Sequence, residues 1–195
     1  MFLIYKNAYV YIFRKRAIDP FMAGINGFLY YLRVLCVLFF LVCVLCMSAV
    51  PVAHAKTWYG QVIQVLDGDS LLIKREEKIV EIRLYGVDTP EYGQDYSKRA
   101  GSYTRKQLLE KIVSVEPKGT DKYGRTVALI RSQGRLINRD LVRTGMAWVY
   151  PYFCRQEPLC SELKNLESKA RKRGRGLWQL KNPDPPWKWK EKNNN

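Results

Sequence analysis

Residues 56–180 predict a mainly β fold with packed helices, of the α+β class, and three observations carry that expectation. Short apolar–polar alternations recur between turn residues in the first part, as they do in a strand meander and a small antiparallel barrel. The apolar period then changes to a helical one around residues 97–111. Finally, the region is about the size of one domain once an N-terminal leader is set aside.

The leader, residues 1–55, is a different material. Val34 to Ala53 is an uncharged apolar run, preceded by Arg33 and followed by Ala53-His54-Ala55. A positive flank, an apolar core and a small-residue end describe a secretory signal peptide cleaved after Ala55. About twenty uncharged residues also suffice to span a bilayer, so an uncleaved anchor is the competing reading. Pro51 and the small residues near Ala55 favour cleavage. Met22 offers a second start site within this segment.

Beyond the leader, Trp58–Leu66 alternates as a strand, Asp67-Gly68 marks a hairpin turn, and Leu71–Lys74 returns as a second strand. Ile79, Ile82 and Leu84, set among Glu81, Arg83 and Tyr85, make the third. Ala100, Tyr103, Thr104, Leu108 and Ile112 fall on one helical face. Ile112–Val115 and Thr126–Ile130 read as strands around the loop Asp121-Lys122-Tyr123-Gly124. Asn138 is placed to cap a short helix that Gly145 terminates. Ala147–Tyr150 reads as extended. Pro158 opens a helix whose apolar stripe is Leu159, Leu163, Leu166 and Ala170. Residues 181–195, rich in Pro, Trp and Lys and ending in asparagines, read as a flexible tail. Five short strands with interspersed helices fit an oligonucleotide/oligosaccharide-binding (OB) barrel as one candidate among several.

The whole chain carries a net charge of +15. The leader's five basic residues against one acid leave about +11 on residues 56–195. Such a basic domain suits a polyanion through phosphate neutralisation and counterion release. Solubility or attraction to an anionic surface would produce the same charge. Cys154 and Cys160 are the two cysteines outside the leader. In an oxidising compartment they invite a disulfide, although a loop this short can also leave two free thiols. His54 is the single histidine, so a zinc shell cannot be completed beyond the leader.

Three strings carry the chemistry: Asp67-Gly68-Asp69-Ser70, the run from Ile82 to Glu91, and Asp121-Lys122-Tyr123-Gly124-Arg125. Together they supply acidic oxygens for a hard cation, a carboxylate to prepare water, and guanidinium groups for charge on phosphorus. An EF-hand is excluded, because after Asp67 and Asp69 the next ligand position is Leu71. Taken alone, Asp-Gly-Asp is ordinary turn chemistry, and Asp67 is expected to serve the turn. In order, spacing and flanks these strings resemble the thermonuclease (staphylococcal nuclease) family, from about Tyr59 to Trp178.

That resemblance implies a five-stranded OB-fold barrel with about three packed helices. It implies one Ca2+ held by Asp69, Asp88 and the main-chain oxygen of Thr89. It makes Glu91 the general base and Arg83 and Arg125 the phosphate clamps, since an arginine presents paired donors that lysine cannot match. Glu91 as a solvated surface residue, or as an orienter of water, remains open at this stage. Lys122, Tyr123, Tyr150 and Tyr152 resemble the nucleotide pocket, with core packing as the alternative for the two last tyrosines. Ser70 stands where threonine is commoner in the family, and the loop from Tyr92 to Tyr96 has no recognisable type.

The implied protein is a secreted or cell-envelope, monomeric, calcium-dependent endonuclease. It would hydrolyse DNA and RNA, preferably single-stranded, at P–O5′ to leave 3′-phosphate ends, with no protein partner implied. Two rivals stand beside it: a catalytically inactive nucleic-acid-binding barrel, and a membrane-tethered nuclease or DNA-capture protein.

Overall fold

The computed structural model describes residues 20–47 and 56–193. The chain divides into two compact units, residues 1–53 and 54–195. In the first, helix α1 spans Pro20–Met47. From Phe28 to Val42 it exposes a run of large apolar side chains. No helix among the described residues is long and apolar enough to cross a membrane. The described side chains of α1 end at residue 43, whereas the uncharged run continues to Ala53. The junction around Ala55, the start at Met1 and His54 lie outside the described residues.

The second unit is a barrel with its own core. Strands β1 (Trp58–Val65), β2 (Ser70–Arg75) and β3 (Lys78–Leu84) form the antiparallel meander. Strand β5 (Ile112–Thr120) pairs with the other edge of β1, and β6 (Thr126–Ser132) pairs with β5. The sheet then closes on itself, because β6 also pairs with β3. That closing ladder is parallel, matching Ile82 with Thr126, Arg83 with Val127 and Leu84 with Ala128. A five-stranded OB-fold barrel results, antiparallel except at its closure.

Its interior is a set of fully buried aliphatic side chains: Val62, Leu71, Ile73, Ile82, Val115 and Ile130, each with no exposed surface. Ile82 and Leu84 point inward while Glu81 and Arg83 point outward, as alternate strand residues must. Ile79 shares the outward parity and is 63% exposed, so it does not join the face the sequence pattern gave it. Strand β5 runs through Pro117, where the register with β6 shifts and the N–H that proline lacks is not missed.

Helix α2 (Ser97–Leu108) buries Ala100, Thr104 and Leu108 at successive four-residue steps. Ile112 is not on that face; it opens β5 and is exposed. Helix α3 (Ile137–Thr144) follows the short strand β7 (Arg135–Leu136). Gly145 ends α3 in the left-handed region, where any Cβ would sit 2.1 Å from the Arg175 carbonyl oxygen. Asn138 is not the N-cap, which is Leu136. Its buried amide accepts from Ile130 N–H at 3.0 Å and donates to the Tyr85 carbonyl at 2.9 Å. It therefore ties α3 to the barrel.

Helix α4 (Leu159–Lys172) buries Cys160, Leu163 and Ala170, with Leu159 and Leu166 half-buried beside them. Cys154 and Cys160 form a disulfide with their Cα atoms 5.5 Å apart. Tyr85 Oη accepts the Arg155 and Gln156 N–H groups and pins the same loop. A short ladder joins β4 (Val87–Asp88) to β8 (Trp148–Val149), so Asp88 lies on a short strand of its own. Residues 186–193 form a further helix, α5 (Pro186–Asn193), in place of the flexible end that composition suggests.

Candidate active site

The turn before β2 places Asp69. Asp67 Oδ1 accepts the N–H groups of Asp69 at 2.9 Å and Ser70 at 2.7 Å, which is turn chemistry of the expected kind. Gly68 is required because a Cβ there would meet the Thr89 side chain at 2.7 Å. Thr104 of α2 donates its hydroxyl to the Gly68 carbonyl at 2.6 Å and anchors the turn. Asp69 ends up fully buried, with Oδ2 accepting the Thr89 N–H at 2.7 Å.

Arg83, outward on β3, brings the two acids together. Its Nη1 lies 2.5 Å from Asp69 Oδ1, and its Nη2 donates to Asp88 Oδ1. The contact to Asp69 is ionic without hydrogen-bond alignment, since Asp69 Oδ1 is left with no hydrogen-bond partner. Burial pushes the Asp69 carboxyl well above its ordinary value, against Arg83 and with help from Asp67 and Asp88. Burial likewise pushes Asp88 up to about 6 despite Arg83, and Glu91 adds to the rise. For Arg83, burial works against the charged form but Asp69 and Asp88 outweigh it, so it stays protonated.

One guanidinium is thus too little positive charge for two buried carboxylates. That, with the unpartnered Asp69 oxygen, is a donor set that fits a hard divalent cation. Among the described residues no group of three or more His, Cys, Asp or Glu side chains is arranged for a metal. Asp69 and Asp88 are a pair, so backbone oxygen and water would complete the shell. Thr89 follows Asp88 and bonds Asp69 through its N–H, so it sits between the two acids.

Glu91 lies beyond Pro90 in a turn closed by Gln94, which donates its N–H to the Glu91 carbonyl at 2.9 Å. Its Oε1 is 2.6 Å from Lys190 Nζ of α5. Arg125 is held by Asp121: Nε donates to Oδ2 at 2.7 Å and the main-chain N–H to Oδ1 at 3.0 Å. Tyr123 N–H donates to the same Oδ1 at 2.9 Å. Burial raises the Asp121 carboxyl, but the bonds from Arg125 and Tyr123 prevail and hold it below its ordinary value. Asp121, named within its string but without a role of its own, is the residue that holds Arg125. An aspartate four residues before an arginine across a Gly turn was the available signal.

Arg83, Asp88, Lys122, Tyr123, Arg125 and Tyr150 line one open cleft of about 550 Å³. Asp69 and Thr89 lie behind it, bonded to its wall. Tyr152 does not line the cleft; it meets Tyr150 edge-on, while Phe153 takes the place at the wall. Trp187 and Lys190 also line it, although their composition places both in a flexible tail. Their signal was the spacing: Pro186 at the first helical position, then Trp187 and Lys190 three apart on one face.

Barrel and site together define an OB-fold protein whose buried acid–arginine cluster borders an open cleft. A family model described as staphylococcal nuclease homologue matches residues 81–180. An uncharacterized endonuclease of Escherichia coli is 36% identical over 135 residues, covering 69% of this chain and 86% of its own. A micrococcal nuclease of Shigella flexneri is 32% identical over 145 residues, 70% of this chain and 82% of its own. The staphylococcal-like nuclease CAN1 of Arabidopsis thaliana is 33% identical over 114 residues, 58% of this chain and 34% of its own. This chain belongs to the staphylococcal nuclease family.

Proposed function

We propose that the protein is a secreted, calcium-dependent endonuclease that hydrolyses DNA and RNA at P–O5′ and leaves 3′-phosphate ends. The observation that carries the reading is Arg83 bridging buried Asp69 and Asp88 at a cleft that Arg125 also lines. Asp69, Asp88 and the Thr89 carbonyl would hold the ion, which when bound supplies positive charge for water and phosphate.

The rest is chemistry of this chain's own groups. Glu91 takes a proton from the attacking water as its oxygen bonds to phosphorus and the P–O5′ bond breaks. No histidine is within the barrel unit's described residues, so a carboxylate is the available base. Arg83 and Arg125 donate to the phosphate oxygens where charge grows, and Arg125 also supports the departing 5′ oxygen. Lys122 takes a neighbouring phosphate, and Tyr123 and Tyr150 offer faces to bases. A single strand fits best, because base faces must be free to stack.

Secretion rests on the leader pattern of residues 34–55. A tethered form of the same nuclease is the second reading, favoured by the exposed apolar side chains of α1. The deciding experiment is cleavage of single-stranded DNA by the purified protein, with calcium and with a chelator. Calcium-dependent cutting supports the reading. Binding without cutting under both conditions would make the protein an inert nucleic-acid-binding barrel.

A further inference from the structure

We infer that α5 is one wall of the substrate site, with Trp187 a base-stacking residue and Lys190 a phosphate-binding one. The inference rests on the nucleic-acid reading above and adds a subsite to it.

The tail is held in place at several points along its length. Gln94 uses its side-chain amide twice, accepting the Glu91 N–H at 3.0 Å and donating to the Asp184 carbonyl at 2.6 Å. The Trp189 ring covers Gly93, where a Cβ would stand 3.7 Å from it. Pro186 is buried. Lys192 closes the segment on Asp184 at 2.7 Å. The loop that carries Glu91 and the helix that carries Trp187 are therefore one assembly.

Trp187 packs against Tyr150 with ring centroids 5.4 Å apart and planes tilted by 34°. A base inserted between two rings needs about 7 Å, twice the contact distance of stacked carbons. The two rings therefore form one composite surface, and a base stacks on it from the cleft side. Trp187 enlarges the apolar face that Tyr150 begins, and every base has a face that can use it.

Lys190 borders the same cleft, with its side chain 47% exposed. Its ammonium has three donors and Glu91 occupies one. The others are free for a phosphate oxygen within reach of the stacked base. A substrate phosphate that draws Lys190 to itself frees Glu91 from this ion pair.

The test uses the full chain and a thymidine tetranucleotide, with binding measured in chelator so that no strand is cut. Trp187→Ala should weaken binding about 5- to 100-fold, and Trp187→Phe should retain most of it. Lys190→Ala should weaken binding and lower the slope of log affinity against log salt by about 0.7. With calcium, Trp187→Ala should raise KM far more than it lowers kcat. Unchanged affinity in both alanine variants would overturn the inference. So would tighter binding or faster cutting, which would make α5 a plug and not a wall. If the wild type binds the tetranucleotide but never cuts with calcium, the endonuclease reading fails, while the alanine comparison still decides the subsite.

Discussion

Asp121 grips Arg125 through both its side chain and its main chain, with Nε–Oδ2 at 2.7 Å and N–Oδ1 at 3.0 Å. A carboxylate that orients an arginine this way removes freedom the arginine would otherwise lose on binding phosphate. Asp121→Ala should therefore reduce kcat/KM on single-stranded DNA by about tenfold or more, short of the hundredfold expected for deleting a transition-state donor. Asp121→Asn, which keeps an acceptor for the main-chain N–H groups, should fall between. Equal activity in all three proteins would mean that Arg125 is placed by other contacts.

Glu91→Gln separates binding from turnover. The amide preserves size and polarity but accepts no proton, so kcat should drop about a hundredfold to ten-thousandfold. Affinity for single-stranded DNA in chelator should hold. Unchanged turnover would remove Glu91 from the reaction.

Asp88 predicts a dependence on pH that metal should erase. Its carboxyl is pushed up by burial to about 6 from an ordinary 3.8. Between those values the folded chain binds more protons than the unfolded one, so stability falls as pH rises through the window. In chelator the urea midpoint should decline as pH rises from about 4 to about 6, with the raised Asp69 carboxyl acting in the same direction, and Asp88→Asn should remove the part of the decline that Asp88 contributes. Calcium, which favours the ionised pair, should flatten the wild-type curve. A decline in chelator that Asp88→Asn leaves untouched would assign it to another group.

Asn138→Ala tests the tie between α3 and the barrel. It strands the buried Ile130 N–H and the Tyr85 carbonyl, which should cost about 1–3 kcal/mol in urea unfolding. A loss under a few tenths of that would mean the two groups find new partners.

Local pattern carried the meander well, because strand alternation and the Asp67-Gly68 turn are written in adjacent residues. It carried the closure less well: the β3–β6 ladder joins Arg83 to Val127, and no local signal marks a parallel pairing of such separation. Asn138 was misread because a capping residue and a helical residue with a buried amide look alike in one dimension. The tail was misread for a related reason. Prolines, lysines and asparagines describe a solvated end, yet the tail is held by Tyr150, Gln94 and Glu91, which lie far away in sequence. Asp69, Arg83 and Asp88 could be named from their strings, but Arg83 as the bridge between the two acids is a three-dimensional fact.

The parallel ladder between β3 and β6 has a consequence for when the site comes into being. Arg83 lies within that ladder, and Arg125 immediately precedes Thr126, the residue that opens it. Pairings this distant along the chain form only once the loop between them has been closed. An unfolded chain thus carries every one of these side chains and none of their arrangement. Arg83 and Arg125 face one cleft only once that ladder has closed, so the site takes shape together with the barrel and not ahead of it.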